Sequence, residues 1–171
     1  MISPSENEKF AIPLVEKEVS RDSTGNFVPK VIRDSKGRIK KASGLIKGGN
    51  LPEGDRPSKV MITMVGSSRA KYIQQIIPNI WGGGSHLDNL IFPSQKQIKT
   101  KSYGVSKLDL EIADHLTVSG NSIIFCFDYK YDGPDVIPSK TRKYIDVVHE
   151  NGNRLFFRNG IEYNLVNSPE K

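Results

Sequence analysis

The chain is poor in the residues on which many active sites are built. Its 171 residues include one cysteine, one tryptophan and three histidines, and no histidine precedes His86. The lone Cys126 excludes an internal disulfide framework and a four-cysteine zinc site. Its setting, Ile123-Ile124-Phe125-Cys126-Phe127, reads as a buried structural thiol rather than a nucleophile. No apolar stretch approaches the length that spans a bilayer, and the opening MISPSENEKF lacks the charged-then-apolar plan of a signal peptide. The expectation is a protein made soluble which, if exported, travels by a route without a cleavable signal. Repeats and low-complexity tracts are also missing. Gly82-Gly83-Gly84 has no Lys-Ser or Lys-Thr behind it, which excludes a P-loop.

Positive charge, by contrast, is plentiful and uneven. The net charge is +6, and the pI is about 9.4. Between Val28 and Lys47 lie Lys30, Arg33, Lys36, Arg38, Lys40, Lys41 and Lys47 against Asp34 alone, so this segment carries the whole excess. Such a cluster is the electrostatic footprint of phosphate-backbone binding, which needs no base readout and weakens as salt rises. A solvated, solubility-giving surface is the other reading. Phe27 is the nearest aromatic, so the segment itself gives little support to base stacking.

At 171 residues the chain has room for one domain plus an extension. Asp22-Ser23-Thr24-Gly25-Asn26 and Asp34-Ser35-Lys36-Gly37-Arg38 repeat a turn pattern twelve residues apart and flank a β-prone stretch whose Pro29 limits it to an edge or a loosely ordered strand. Gly44 to Pro57 reads as a linker, followed by a strand from Lys59 to Val65. The expected organisation is a basic N-terminal extension with short hairpins and linker over 1–58, an organised domain over 59–166 and a tail over 167–171. Ala70 to Pro78 fits a helix or a strand equally by periodicity. Val105, Leu108, Ile112 and Leu116 recur at helical spacing. Ile123, Phe125, Phe127, Tyr129 and Tyr131 share one face of an alternating strand, and Glu150-Asn151-Gly152-Asn153 is a hairpin turn. Arg154 to Phe157 and Ile161 to Val166 would complete a C-terminal antiparallel meander. The fold class is α+β, with a central antiparallel sheet and few helices.

The stretch Trp81 to Ile98, WGGGSHLDNLIFPSQKQI, resembles the signature of the DNA/RNA non-specific endonucleases. This family has the ββα-metal active site and often supplies the toxin domains of bacterial secretion systems. Ile76-Ile77-Pro78, Gly82-Gly83-Gly84, Asp88-Asn89-Leu90 and Pro93 with Gln95 follow the family's order and spacing, and Tyr103, Glu111, Gly120 and Pro138 extend the likeness over roughly Lys59 to Asn164. Two positions depart from it. Gln75 stands where the family has its general-base histidine, with Tyr72, Ile73 and Gln74 in place of Asp-Arg-Gly, and Lys99 falls near the metal-ligand asparagine. In the family that metal polarises the scissile phosphate while histidine takes a proton from water, so both halves of the mechanism lose their usual residue.

The resemblance leaves Gln75 and His86 as candidate catalytic residues, and Asn89 and Glu111 as candidate ligands of a divalent metal such as Mg. Gln75 can hydrogen-bond a phosphate or water but cannot accept a proton near neutral pH, whereas an imidazole at His86 can. His115 and His149 read as structural or solvated, and an exposed helical residue is the other reading of Glu111. Lys36, Arg38, Lys40, Lys41, Lys99 and Lys101 are the candidate nucleic-acid contacts. Three readings stay open. One is a divergent toxin nuclease with a rearranged site; if active, it is a metal-dependent phosphodiester hydrolase. Another is a catalytically inactive or repurposed nuclease fold that binds nucleic acid or a protein partner, and the last is a toxin domain acting on some other bond. The toxin resemblance also implies a cognate immunity protein and export by a bacterial secretion system.

Overall fold

The computed structural model describes residues 17–56, 73–91, 106–134 and 137–163. The expected strand from Lys59 to Val65, Pro93 and Gln95, Lys99, Lys101, Tyr103 and the tail lie outside these residues. In chain order the elements are β1 (Ser20–Arg21), β2 (Phe27–Val28), β3 (Lys30–Arg33), β4 (Ile39–Lys47), β5 (Gln74–Gln75), β6 (Leu90–Ile91), α1 (Lys107–Leu116), β7 (Asn121–Lys130), β8 (Lys140–His149) and β9 (Arg154–Tyr163). Two 3-10 turns, Asn79–Trp81 and Leu87–Asn89, lie between β5 and β6. Among the described residues the main sheet has five strands in the order β3-β4-β7-β8-β9, all antiparallel. This is the expected α+β architecture, mostly antiparallel sheet with few helices.

The segment read from sequence as a basic extension and linker supplies two strands of this sheet. β4 runs through Gly44 and pairs with β7 from Lys41↔Asp128 to Lys47↔Ser122. Gly44 is no linker residue: a Cβ there would overlap Val19 Cγ1 and touch the Phe125 ring. The turn repeat takes the same form twice. Asp22 Oδ1 accepts from the N–H groups of Thr24 and Asn26, and Asp34 Oδ1 from those of Lys36 and Arg38. Pro29 separates β2 from β3, which is the sheet's edge strand as proline requires. In β4 the extra residue Lys40 forms a bulge, since Ile32 pairs with Lys41 and Arg33 with Ile39. That insertion lets both Ile39 and Ala42 be buried while Lys40 stays exposed.

One face of the sheet carries the core. Ile46, Ile123, Phe125, Phe127, Ile145 and Val147 are buried there together with Ile112 and Leu116 of α1. The helix starts two residues later than the apolar spacing allows because Ser106 caps it. The Ser106 hydroxyl accepts from the Asp109 N–H at 3.1 Å, and the Asp109 carboxylate accepts from the Ser106 N–H at 3.2 Å. Burial nevertheless pushes the Asp109 carboxyl above its ordinary range, against these hydrogen bonds. The β8–β9 hairpin turns at residues 150–153 as expected, but β9 is one continuous strand rather than two, since Gly160 keeps its pairing with Lys143.

Trp81 joins the helix to the loop between β5 and β6. Its ring is buried, and its indole N–H donates to the Asp109 carbonyl at 2.9 Å. Trp81→Ala should cost roughly 3–5 kcal/mol in urea unfolding, because it empties a large buried volume, and Trp81→Phe should cost less. The far-ultraviolet circular dichroism of the wild type should be dominated by β structure; a helix-dominated spectrum would contradict the architecture.

Candidate functional site

The loop between β5 and β6 is built on side-chain amides that replace missing backbone pairing. Asn89 is fully buried. Its Oδ1 accepts from the Ile77 N–H at 2.7 Å, while its Nδ2 donates to the carbonyls of Ile77 at 3.0 Å and Gly84 at 2.8 Å. Gln75 braces the same loop from the other side. Its Nε2 donates to the carbonyls of Asp55 and of Gly84, the latter at 2.9 Å, and its Oε1 accepts from the Asn79 N–H at 3.0 Å. The glycine run lies between these braces as a ledge. Phe27 donates to the Gly82 carbonyl at 2.8 Å and Asp55 to that of Gly83 at 3.0 Å, so the ledge is held to the N-terminal segment on two sides. A side chain at Gly83 would strike the Ile77 carbonyl.

These contacts decide what each candidate residue can do. Gln75 and Asn89 meet at the shared acceptor Gly84, and both amides serve the backbone. An Asn89 oxygen that is buried and already bonded is arranged as a clamp, not as a cation ligand. His86 is exposed and caps the second 3-10 turn, its Nδ1 accepting from the Asp88 N–H at 3.0 Å. The neutral ring therefore carries its proton on Nε2, and the nitrogen that could accept another is occupied. Glu111 is an exposed residue of α1. Among the described residues no group of three or more His, Cys, Asp or Glu side chains could hold a metal ion.

The basic candidates divide in two. Lys36 and Arg38 line a groove of about 540 Å³ with Arg33, His86, Asp88 and Tyr131, over a floor that includes Ile39, Ile73, Leu90 and Ile91. Lys40, exposed, and Lys41, half-buried, lie further along β4 and do not line it. Arg38 is committed. Its Nε donates to Asp34 at 2.8 Å and its NH1 to the Gly133 carbonyl at 2.7 Å, and its guanidinium sits 4.4 Å from the centre of the Tyr131 ring. Arg33 reaches Asp88 at 2.7 Å and the Gly37 carbonyl at 2.7 Å, clipping the β3–β4 turn to the 3-10 turn. In the sequence Arg33 counts only as charge, Asp88 only as part of the motif order and Tyr131 only as a strand residue, and none of the three is a candidate site residue. The Arg33–Asp88 pair spans 55 residues, and no local pattern announces it.

No protein-family model matches the sequence, and no curated protein matches it. Solved structures do. One described as "extracellular endonuclease" is 13% identical, with a TM-score of 0.59, over 88% of this chain and 84% of that one. Another, "extracellular nuclease", is 12% identical, with a TM-score of 0.53, over 88% and 90%. The chain shares its overall fold with these two structures. A third structure, "Structure of Sda1 nuclease with bound zinc ion", aligns at 14% identity over 81% and 74%, with a TM-score of 0.48, below the level at which a shared fold is argued.

Two outcomes follow, one for this loop and one for the groove beside it. Asn89→Ala should lower unfolding stability by roughly 2–5 kcal/mol, because it strands buried backbone groups. The loss should be the same in EDTA, whereas a residue serving only as a metal ligand would leave stability in chelator unchanged. The second outcome concerns alkaline pH. Burial pushes the Tyr131 hydroxyl up to about 12, the nearby Arg38 charge opposing it, and the hydroxyl donates to the Ile39 carbonyl at 2.6 Å. A raised acid pKa stabilises the fold while the group is protonated. The contribution is whole below the unfolded value of about 10 and is lost as pH rises toward 12. Unfolding of Tyr131→Phe followed from pH 9 to 12 should therefore show a shallower decline than wild type. The difference should be on the order of 1 kcal/mol after allowance for solvent screening of a half-buried ring.

Proposed function

We propose that this chain is a divergent domain of the DNA/RNA non-specific endonuclease family, of the kind found in bacterial toxins, that acts on or binds nucleic acid. The observation that carries the reading is the likeness in fold to two extracellular nucleases over 88% of the chain. The order of motifs from Ile76 to Leu90 supports it. In this reading β5, the braced loop, β6 and α1 correspond to the family's ββα unit, and Lys36, Lys40, Lys41, Lys99 and Lys101 contribute phosphate contacts. The toxin assignment brings with it a cognate immunity protein and delivery by a secretion system. Among the described residues no helix is long and apolar enough to cross a membrane.

A specific observation favours binding without hydrolysis. A general base must offer a free lone pair to the attacking water. Gln75 has none that accepts a proton near neutral pH, and the Nδ1 lone pair of His86 is spent on the Asp88 N–H. The family's divalent metal also finds a poor fit: Asn89 turns its amide to Ile77 and Gly84, and Glu111 stands on α1 without a clustered partner among the described residues. The proposal therefore includes no metal-borne step.

The test is incubation with plasmid DNA and total RNA, with and without magnesium or manganese, beside anisotropy titrations of labelled oligonucleotides from 50 to 300 mM salt. Binding should occur and should fall steeply with salt, and neither nucleic acid should be cut. Gln75→His alone should remain inactive, and Gln75→His with Lys99→Asn is the fuller test of ancestry. Cutting by the wild type would overturn the binding-only reading, and its loss in His86→Ala would make His86 the base. Neither binding nor cutting would overturn the nucleic-acid reading and leave a toxin domain acting on another bond.

A further inference from the structure

We propose that the groove between the β3–β4 turn and the second 3-10 turn is a nucleotide site that takes one unstacked base with its phosphate, giving the domain a preference for single strands. The inference rests on the nucleic-acid reading above and adds the substrate class and the place of contact. The groove's volume of about 540 Å³ falls within the roughly 300–1,000 Å³ of pockets that bury small ligands. Its lining is two-sided. Ile39, Leu90 and Ile91 are buried apolar residues that also line the groove, and Leu87, 44% exposed, stands at its edge. Arg33, Lys36 and His86 supply N–H donors on the same lining. An apolar floor with cationic donors beside it suits a flat, weakly polar ring joined to an anion. A duplex offers phosphates but keeps its bases stacked away from such a floor.

The Arg33–Asp88 pair makes the site distinctive. Arg33 reaches Asp88 with one terminal nitrogen and the Gly37 carbonyl with the other, and both side chains of the ion pair are more than a third exposed. An entering phosphate competes with the Asp88 carboxylate for the same guanidinium face. Asp88 therefore acts as an internal substitute for the ligand and keeps Arg33 in place. Lys36 is exposed, and no carboxylate pairs with it among the described residues, so its ammonium is available to the same phosphate.

The experiment measures anisotropy of fluorescein-labelled dT12 against the full chain, beside the same strand in a duplex and an abasic strand of equal length. The single strand should bind about tenfold more tightly than either competitor, the scale of one base contact. Lys36→Glu and Leu87→Glu, both surface changes, should each weaken single-strand binding roughly tenfold with unchanged circular dichroism. Asp88→Asn should tighten it severalfold, because Arg33 is released to the phosphate. A gain of binding is not produced by misfolding. Equal binding of dT12, duplex and abasic strand would overturn the nucleotide site while leaving the nucleic-acid reading intact. So would binding unchanged in both Glu variants. Failure of every strand to bind would overturn both.

Discussion

The buried amide of Asn89 is the constraint from which the rest of the loop follows. A chain that leaves β5, makes a 3-10 turn, crosses as three glycines and returns through a second 3-10 turn cannot pair its own backbone throughout. Unpaired buried groups would cost more than such a loop can recover. Asn89 closes the account by offering an acceptor to the Ile77 N–H and donors to two carbonyls. With the loop fixed, Trp81 is presented to α1, the helix is held over the sheet, and the glycine ledge sits where Phe27 and Asp55 can bind it. Deep burial of one polar side chain thus specifies the approach of three chain segments.

Charge works differently. The basic segment is not a disordered arm but a hairpin whose cations are partly spent within the protein. Of its seven cations, Arg33, Arg38 and Lys47 lie 2.7, 2.8 and 3.4 Å from carboxylates. Asp34 is both a turn former and a counter-ion. Desolvation works against its charge, but the N–H of Arg38, the Arg38 guanidinium and the N–H of Lys36 together hold its carboxyl below the ordinary range. Net charge read from composition therefore overstates the field the segment presents to an anionic partner, and position along the hairpin decides which cations are presented.

Much of the fold was legible because its signals are local. Alternation in β7, the spacing of Leu108, Ile112 and Leu116, the Asn-Gly turn before β9 and the two Asp-Ser turns each report their own neighbourhood, and each is observed. β4 was missed altogether, and Gly44 read as the start of a linker, because its crowding by Val19 and Phe125 is invisible in the sequence; that crowding comes from residues distant along the chain. The same holds for the site. Motif order drew attention to Gln75, His86 and Asn89, but motif order does not record hydrogen-bond partners. Only the folded loop gives Asn89 and Gln75 the carbonyl of Gly84 in common and turns His86 into a cap. Glu111 stands exposed on the helix, the plainer of its two sequence readings.

The bulge at Lys40 carries a meaning beyond packing. A regular strand ties the parity of its length to the side its residues face, so a single inserted or deleted residue would normally turn a core outward. Here the extra residue absorbs one step of that count, and Ile39 before it and Ala42 after it both face inward. The hairpin's tip, with its turn and its cations, is thereby uncoupled in phase from the part of β4 that pairs with β7. Such a joint allows the tip to change in length and sequence over evolutionary time while the sheet behind it keeps its register.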